Sequence, residues 1–310
     1  MLLPMPQSLY VTVPSWALEN PLQRRRKEVA AESFAERFGL EVVLSPLLAR
    51  YLPGDHHLPT ADRMTDLRLA MAHPLVWACR GGHGAMHLVE ELLALDAPEA
   101  RCLIGYSDAT VLHACWWRRG WGETLFGQLP RRFSTSRAAD SMLALAQGEG
   151  LARDQNSDPG VRMLRPGRAH GRLFAGNLSM LAALCGTPAQ PDLRGCILAI
   201  EDVDEPPFTL DNALTQLRLA GVLDGVTGLA GGTFTYHQPL GFWGPSVDDV
   251  LASWCHRLGV PGLARLPFGH LDDGLVLALG RPSRLETAAD GTWSFTQEAS
   301  GRPVWSGARP

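Results

Sequence analysis

Apolar residues fall along this chain in two alternating rhythms. Short, nearly continuous runs at Leu9 to Val13, Leu40 to Leu44, Val76 to Cys79 and Cys102 to Gly105 have the length of buried strands. Between them, apolar residues recur at helical spacing over Pro21 to Phe38, Thr60 to Ala72, Ala85 to Leu95 and from Ser107 through Trp117. The punctuation agrees with the rhythm. Pro21 suits a first helical turn, Gly39 a stop and Thr60 an N-cap. Repetition of strand, loop and helix predicts a parallel sheet with helices on its faces. In such sheets ligands collect at the carboxyl ends of the strands.

From Arg131 to Arg168 the character changes. Gln147-Gly148-Glu149-Gly150 and Asp154 through Gly160 are turn and linker signals. They divide the chain into an N-terminal α/β domain over 1–140, a linker region over 141–170 and a second domain over 171–310. The second half opens with a helix at Leu178 to Leu184 and a strong strand at Cys196 to Ile200. A helix at Thr209 to Ala220 and strands at Val226 to Leu229 and Arg265 to Phe268 follow. Beyond Leu285 the tail, with Thr292-Trp293-Ser294-Phe295, alternates like an edge strand.

Composition narrows the class. The 310 residues suffice for one large or two medium domains, and a hydrophobic content of 45% supports a sizeable core. The net charge is -4, with both signs spread along the chain. Arg24-Arg25-Arg26-Lys27 is the one compact basic run; with Glu28 and Glu32 behind it, it reads as the solvated face of a helix. No nucleic-acid partner is indicated. Six cysteines form no CxxC or other metal-ligand spacing and read as buried, reduced thiols of a reducing, cytoplasmic compartment. No signal peptide and no membrane span are expected, because no window approaches about 18 uncharged apolar residues.

Four segments carry candidate chemistry. In Leu103-Ile104-Gly105-Tyr106-Ser107-Asp108 a strand feeds a tight turn, and Ser107 stands where a helix begins. A nucleophile elbow has these mechanics, and so does an ordinary serine N-cap. Arg80-Gly81-Gly82-His83-Gly84 exposes backbone N–H groups, as an oxyanion hole or a plain strand-to-helix turn would. In Ile200-Glu201-Asp202-Val203-Asp204-Glu205, Glu201 ends a very apolar strand and could orient a histidine. The same acids could bind a divalent cation or form a solvated loop. In Leu266-Pro267-Phe268-Gly269-His270, the histidine again follows a strand and a glycine and is either a general base or a loop residue.

Together these segments resemble the LD-carboxypeptidase family of serine peptidases, to which the microcin C self-immunity peptidases are related. Cys79 to Met86, Leu103 to Asp108, Leu164 to Ala169, Gly176 to Ala183, Ile200 to Gly221 and Pro267 to His270 carry the likeness in the family's order, over roughly residues 40 to 290. The resemblance implies an N-terminal parallel-sheet, nucleotide-binding-like α/β domain and a smaller, β-rich C-terminal domain. It implies a triad of Ser107 as nucleophile, His270 as base and Glu201 as its orienting group. The oxyanion hole would use the backbone N–H groups of Gly82 and Asp108, with no metal or organic cofactor. The implied substrate is a murein tetrapeptide that loses its terminal D-alanine. The family often forms dimers, so pairing with a second copy of the chain is a further expectation.

A carboxypeptidase must also bind a free carboxylate, and Arg80 is the nearest arginine in sequence to these motifs. Three positions depart from the family pattern. His83 replaces a tyrosine, Leu271-Asp272-Asp273 follows His270 where Gly-Pro is common, and Val13-Pro14-Ser15-Trp16 replaces Ala-Pro-Ser-Gly. The runner-up keeps the triad and cleaves peptidyl- or aminoacyl-nucleotide conjugates, with Trp116, Trp117 and Trp121 as base-stacking candidates. A non-catalytic binding protein on the same scaffold is a third reading. A metal-dependent hydrolase using Glu201, Asp202 and Asp204 is the weakest, since no histidine lies at ligand spacing there.

Overall fold

A computed structural model describes residues 7–54, 56–96, 102–130, 136–236 and 244–304. The first half contains β1 (Ser8–Thr12), α1 (Pro21–Phe38), β2 (Glu41–Leu44), α2 (Thr60–Ala70), β3 (Leu75–Ala78), α3 (Val89–Leu93), β4 (Cys102–Gly105), α4 (Thr110–Arg119) and β5 (Thr124–Phe126). The chain continues through α5 (Arg137–Ala146), β6 (Leu151–Asp154), β7 (Arg162–Arg165), β8 (Gly167–Asn177), α6 (Leu178–Ala183), β9 (Cys196–Asp202) and α7 (Pro207–Leu219). It closes with β10 (Gly228–Phe234), α8 (Val247–Leu258), β11 (Gly262–Ala264), β12 (Leu277–Leu279), β13 (Pro282–Thr287) and β14 (Trp293–Gln297).

The alternating rhythm of the first half becomes a sheet in the order β12-β5-β4-β3-β1-β2. Its five N-terminal strands are parallel, and β12 joins antiparallel to β5. A second, mixed sheet runs β6-β14-β13-β8-β9-β10-β11-β7, with β8 to β11 parallel. The fold is the expected α/β class, with a β-rich second part. Helix α1 has the predicted bounds. Asn20 caps Gln23 N–H, Pro21 opens the helix, and Gly39 closes it at φ 64.

The sheets and the sequence differ in several places. Thr60 is the first residue of α2 rather than its cap; Pro59 holds that position, and the Thr60 hydroxyl accepts from Arg63 instead. Ala85 to Leu95 is not one helix. A 3-10 turn over Ala85–Leu88 precedes α3, because Gly84 enters it at φ 118. The expected linker, 141–170, holds the end of α5, all of β6 and β7, and the start of β8. Its glycines mark turns between these elements rather than a tether; residues 131–135, next to it, lie outside the described residues. Arg265 to Phe268 is not a strand. Arg265 turns to φ 63 and ends the pairing begun by β11. The tail strand β14 is no edge, since β13 and β6 pair on its two sides.

One apolar core runs through both sheets. The most demanding polar group inside it is Arg63, fully buried on α2. It donates to the carbonyls of Leu58 (2.8 Å), Gly84 (2.8 Å) and Pro14. One side chain thus ties together the three loops after β1, before α2 and after β3. Replacing Arg63 by Leu would leave those carbonyls buried without a donor. The expected loss is roughly 3–5 kcal/mol of stability, measurable by urea denaturation.

Candidate active site

Strand β4 delivers Ser107. The Gly105 carbonyl accepts from Gly127 N–H at 2.9 Å and lies 3.0 Å from His113 Nε2. Burial pushes the His113 imidazole down to about 4, so it is neutral and supports the strand end by its ring N–H. A Cβ on Gly105 would stand 2.8 Å from Ala109 Cβ, so only glycine allows the turn to close this tightly. Ser107 then adopts φ 60, a left-handed conformation costing about 1–3 kcal/mol outside glycine. A 3-10 turn over Ser107–Ala109 leads into α4, and neither segment takes a cap from the Ser107 side chain. The strained turn is therefore not an N-cap. It is the backbone form that holds a hydroxyl clear of its own helix.

The glycine turn after β3 lies against this serine. A Cβ on Gly81 would meet Ser107 Cβ at 2.7 Å and Oγ at 2.8 Å. Gly82 follows at φ 109 with the Trp16 ring against its Cα. Asp108, buried beside the nucleophile, accepts from Ala85 N–H at 2.9 Å. Burial raises its carboxyl above the ordinary value, opposed by the nearby Ser15 hydroxyl and the Ala85 N–H. Its side chain thus fastens the glycine turn to the serine turn, the two segments expected to supply Gly82 and Asp108 N–H.

The second sheet contributes the other two groups. Glu201 lies near the end of β9 and is fully buried. Its Oε2 is 2.6 Å from His270 Nδ1. Gly269 makes the approach: at φ 100, a Cβ there would stand 2.6 Å from Glu201 Cγ. Burial alone would lower the His270 pKa, but the Glu201 hydrogen bond and charge, with Asp202 and Asp204, raise it above the ordinary imidazole value. The Tyr106 ring packs edge-on against His270 at 5.1 Å between centroids. Burial raises the Tyr106 phenol to about 12, so it stays protonated. Glu201 and His270 are directly bonded, and Ser107 reaches them through its neighbour Tyr106. No hydrogen bond joins Ser107 to His270 among the described residues.

Several contributors were not read from the sequence. Asn177 stands opposite Glu201 in the β8–β9 register. Its amide nitrogen donates to Asp202 Oδ1 at 2.8 Å and reaches Glu201 Oε1 at 3.4 Å, while its backbone N–H donates to Thr110 Oγ1 at 2.9 Å. The strand-to-helix junction Gly176-Asn177-Leu178 held that signal, an Asn at a cap position. Asp202 also accepts from the N–H and hydroxyl of Ser179 and from Val203 N–H. It therefore acts as a structural acceptor for the first turn of α6. Among the described residues no three His, Cys, Asp or Glu side chains are grouped to hold a metal ion.

Other candidates are placed differently. Arg80 donates to the Ala17 carbonyl, to Gln23 Oε1 at 3.1 Å and to Glu19 at 2.8 Å, so its guanidinium is engaged with the loop before α1. His83 stands with His57 and His87 in a cluster whose ring centroids are 5.0 to 5.6 Å apart. Trp116 and Trp121 are buried against each other, and Trp117 packs against Phe174 with Arg172 stacked 4.1 Å over its ring.

Known proteins resemble this chain in sequence and in fold. The sequence profile of the LD-carboxypeptidase N-terminal domain matches residues 9–127, and that of the C-terminal domain matches residues 170–285. A Streptomyces coelicolor relative, named only as a carboxypeptidase, is 34% identical over 84% of this chain and 85% of its own. The murein tetrapeptide carboxypeptidase of Pseudomonas aeruginosa is 31% identical over 76% of this chain and 80% of its own. The crystal structure of the Oxalobacter formigenes muramoyltetrapeptide carboxypeptidase aligns with a TM-score of 0.75 at 22% identity, over 93% of this chain and 99% of that one. The microcin C7 self-immunity protein aligns with a TM-score of 0.75 at 19% identity, over 96% and 98%. At such identities the two structures speak to fold alone. The two profile matches and the two sequence relatives place this chain in the LD-carboxypeptidase family of peptidases.

Proposed function

We propose that this peptidase is a serine L,D-carboxypeptidase that removes the terminal D-alanine from murein tetrapeptides. The observation carrying the proposal is the 2.6 Å contact of buried Glu201 with half-buried His270, whose ring packs on Tyr106, the neighbour of a serine at φ 60 on a strand-to-helix turn. In this reading Ser107 Oγ attacks the scissile carbonyl while His270 Nε2 takes its proton. Glu201 holds the Nδ1–H tautomer and stabilises the imidazolium that forms. The backbone N–H groups of Gly82 and Asp108 face the oxyanion. His270 returns the proton to the leaving amine, and water hydrolyses the acyl-enzyme by the same route reversed. No step requires a metal or an organic cofactor.

The murein substrate is drawn from the Pseudomonas aeruginosa relative. Cleavage of aminoacyl-nucleotide conjugates is the alternative, drawn from the fold of the microcin protein. Stacking a base needs an open aromatic face. Trp116 and Trp121 are buried and Trp117 is covered by Arg172, which favours the peptide. Cytoplasmic recycling of murein peptides fits six unpaired cysteines, five of them buried, and the lack of any helix long and apolar enough to cross a membrane among the described residues.

Four outcomes are expected. D-alanine is released from a muramoyl tetrapeptide by the wild type and not by Ser107→Ala; release by both variants removes the nucleophile assignment, and release by neither removes the substrate. His270 must be neutral to act as base, so its raised pKa puts the acid limb of kcat/KM above the ordinary value of about 6.5, with activity falling as pH drops through it. Glu201→Gln lowers kcat by roughly a thousandfold or more and moves that limb to lower pH; an unmoved limb would show that Glu201 does not set it. Gly269→Ala drives a methyl group into Glu201 and lowers kcat by about a hundredfold with the circular dichroism spectrum retained.

A further inference from the structure

Next to the nucleophile turn, on the α1 side of the first sheet, lies a cavity of about 250 Å³. Gln23, Arg26 and Lys27 of α1 line it together with Arg80, Tyr106 and Gln128. No acidic side chain contributes to the lining. Two of its residues directly precede groups of the active site in the chain. Tyr106 precedes Ser107 and touches His270, and Arg80 precedes Gly81, whose Cα lies against Ser107.

The basic run of α1 is divided by helical geometry. Arg24 pairs with Glu28 at 2.6 Å, and Arg25 pairs with Glu32 at 2.9 Å. Gln23, Arg26, Lys27 and Ala30 follow the three- and four-residue spacing of one helix face and line the cavity together. Lys27 Nζ stands 5.7 Å over the ring of Trp77, which also lines the cavity. Arg26 makes no ion pair among the described residues.

A carboxypeptidase that removes one residue must hold a carboxylate within one residue of the scissile carbonyl, that is, about 3.6 Å of chain beyond it. Arg80 adjoins the right place, but its donors go to Ala17, Gln23 and Glu19. Arg63 is likewise held by three carbonyls. We infer that Arg26 and Lys27 of α1 form the site for the substrate's free C-terminal carboxylate. Arg80, ion-paired with Glu19, fixes the cavity's shape through the loop before α1. The inference rests on the carboxypeptidase reading and names the residues that make it an exopeptidase. The occupant is a peptide carboxylate, which offers two acceptor oxygens to two cationic side chains.

The test is steady-state kinetics of wild type, Arg26→Gln, Lys27→Gln and the double variant, on a tetrapeptide and its C-terminal amide. Glutamine retains helix propensity, so α1 is kept. Each single substitution should raise KM for the free acid by about tenfold, with kcat within about twofold. The amide should be a poor substrate of the wild type and indifferent to the substitutions. Wild-type KM should rise with ionic strength more steeply than that of the double variant. An unchanged KM, or an equal rise for acid and amide, overturns the inference. If the wild type cleaves neither peptide, the proposed function fails, and titration calorimetry of the tetrapeptide into Ser107→Ala still decides the carboxylate site. Binding abolished by Arg26→Gln/Lys27→Gln sustains it; binding untouched by them, or no binding to begin with, overturns it.

Discussion

The candidate site depends on the register between two sheets, and that register is held at Asn177. Its backbone N–H is bonded to Thr110 Oγ1 at the start of the helix that follows Ser107. Its side chain meets Asp202 and Glu201 on the neighbouring strand. One residue thus fixes the distance between the nucleophile's helix and the carboxylate that aims the histidine. Gly176, just before it, lets the Thr110 methyl group come within 2.8 Å of where a Cβ would stand. The contact tolerates no side chain, so the two sheets meet at one separation.

Burying Glu201 is costly in isolation and workable here because its oxygens have defined partners. The Nδ1 of His270 lies on one oxygen and the Asn177 amide near the other. The same low-dielectric setting strengthens the pull of the carboxylate on the imidazole, which outweighs the burial that would otherwise keep His270 neutral. Backbone strain is placed in the same economical way. Ser107, Asp204 and Arg265 are the non-glycine residues at positive φ among those described, and they flank the serine turn, the end of β9 and the approach to the His270 loop.

Much of the first sheet was legible because its strands and helices obey local rules. Asn20, Pro21 and Gly39 bound α1, and an apolar run ending in Gly105 bounds β4. The segments holding Ser107 and Glu201 were legible as strand ends, whereas His270 lies in the loop after β11 and not behind the strand expected before it. What stayed hidden is non-local. The glycines between 147 and 160 look like a tether in isolation, and only pairing with β14 makes β6 a strand. Arg265 to Phe268 has strand composition but a left-handed residue at its head. The division of labour within Arg24 to Lys27 depends on which side of α1 faces the sheet, which a charge count cannot register. Arg80, plausible by sequence proximity, turns out to have internal acceptors that no local pattern announces.

Strand β12 gives the architecture a topological property. The chain leaves the first sheet after β5, builds most of the second, and then returns to pair Leu277–Leu279 with Thr124–Phe126 before completing β13 and β14. Arg281, only 4% exposed, locks that return by donating to Glu123, Glu149 and Leu145. The two halves are therefore stitched twice, once by the outgoing chain and once by the returning one. A fragment ending at the outgoing crossing would carry β5 as an open edge, free to recruit a foreign strand. For the same reason, a swing of one half against the other would have to bend the chain at two crossings, after β5 and after β12, rather than at a single hinge.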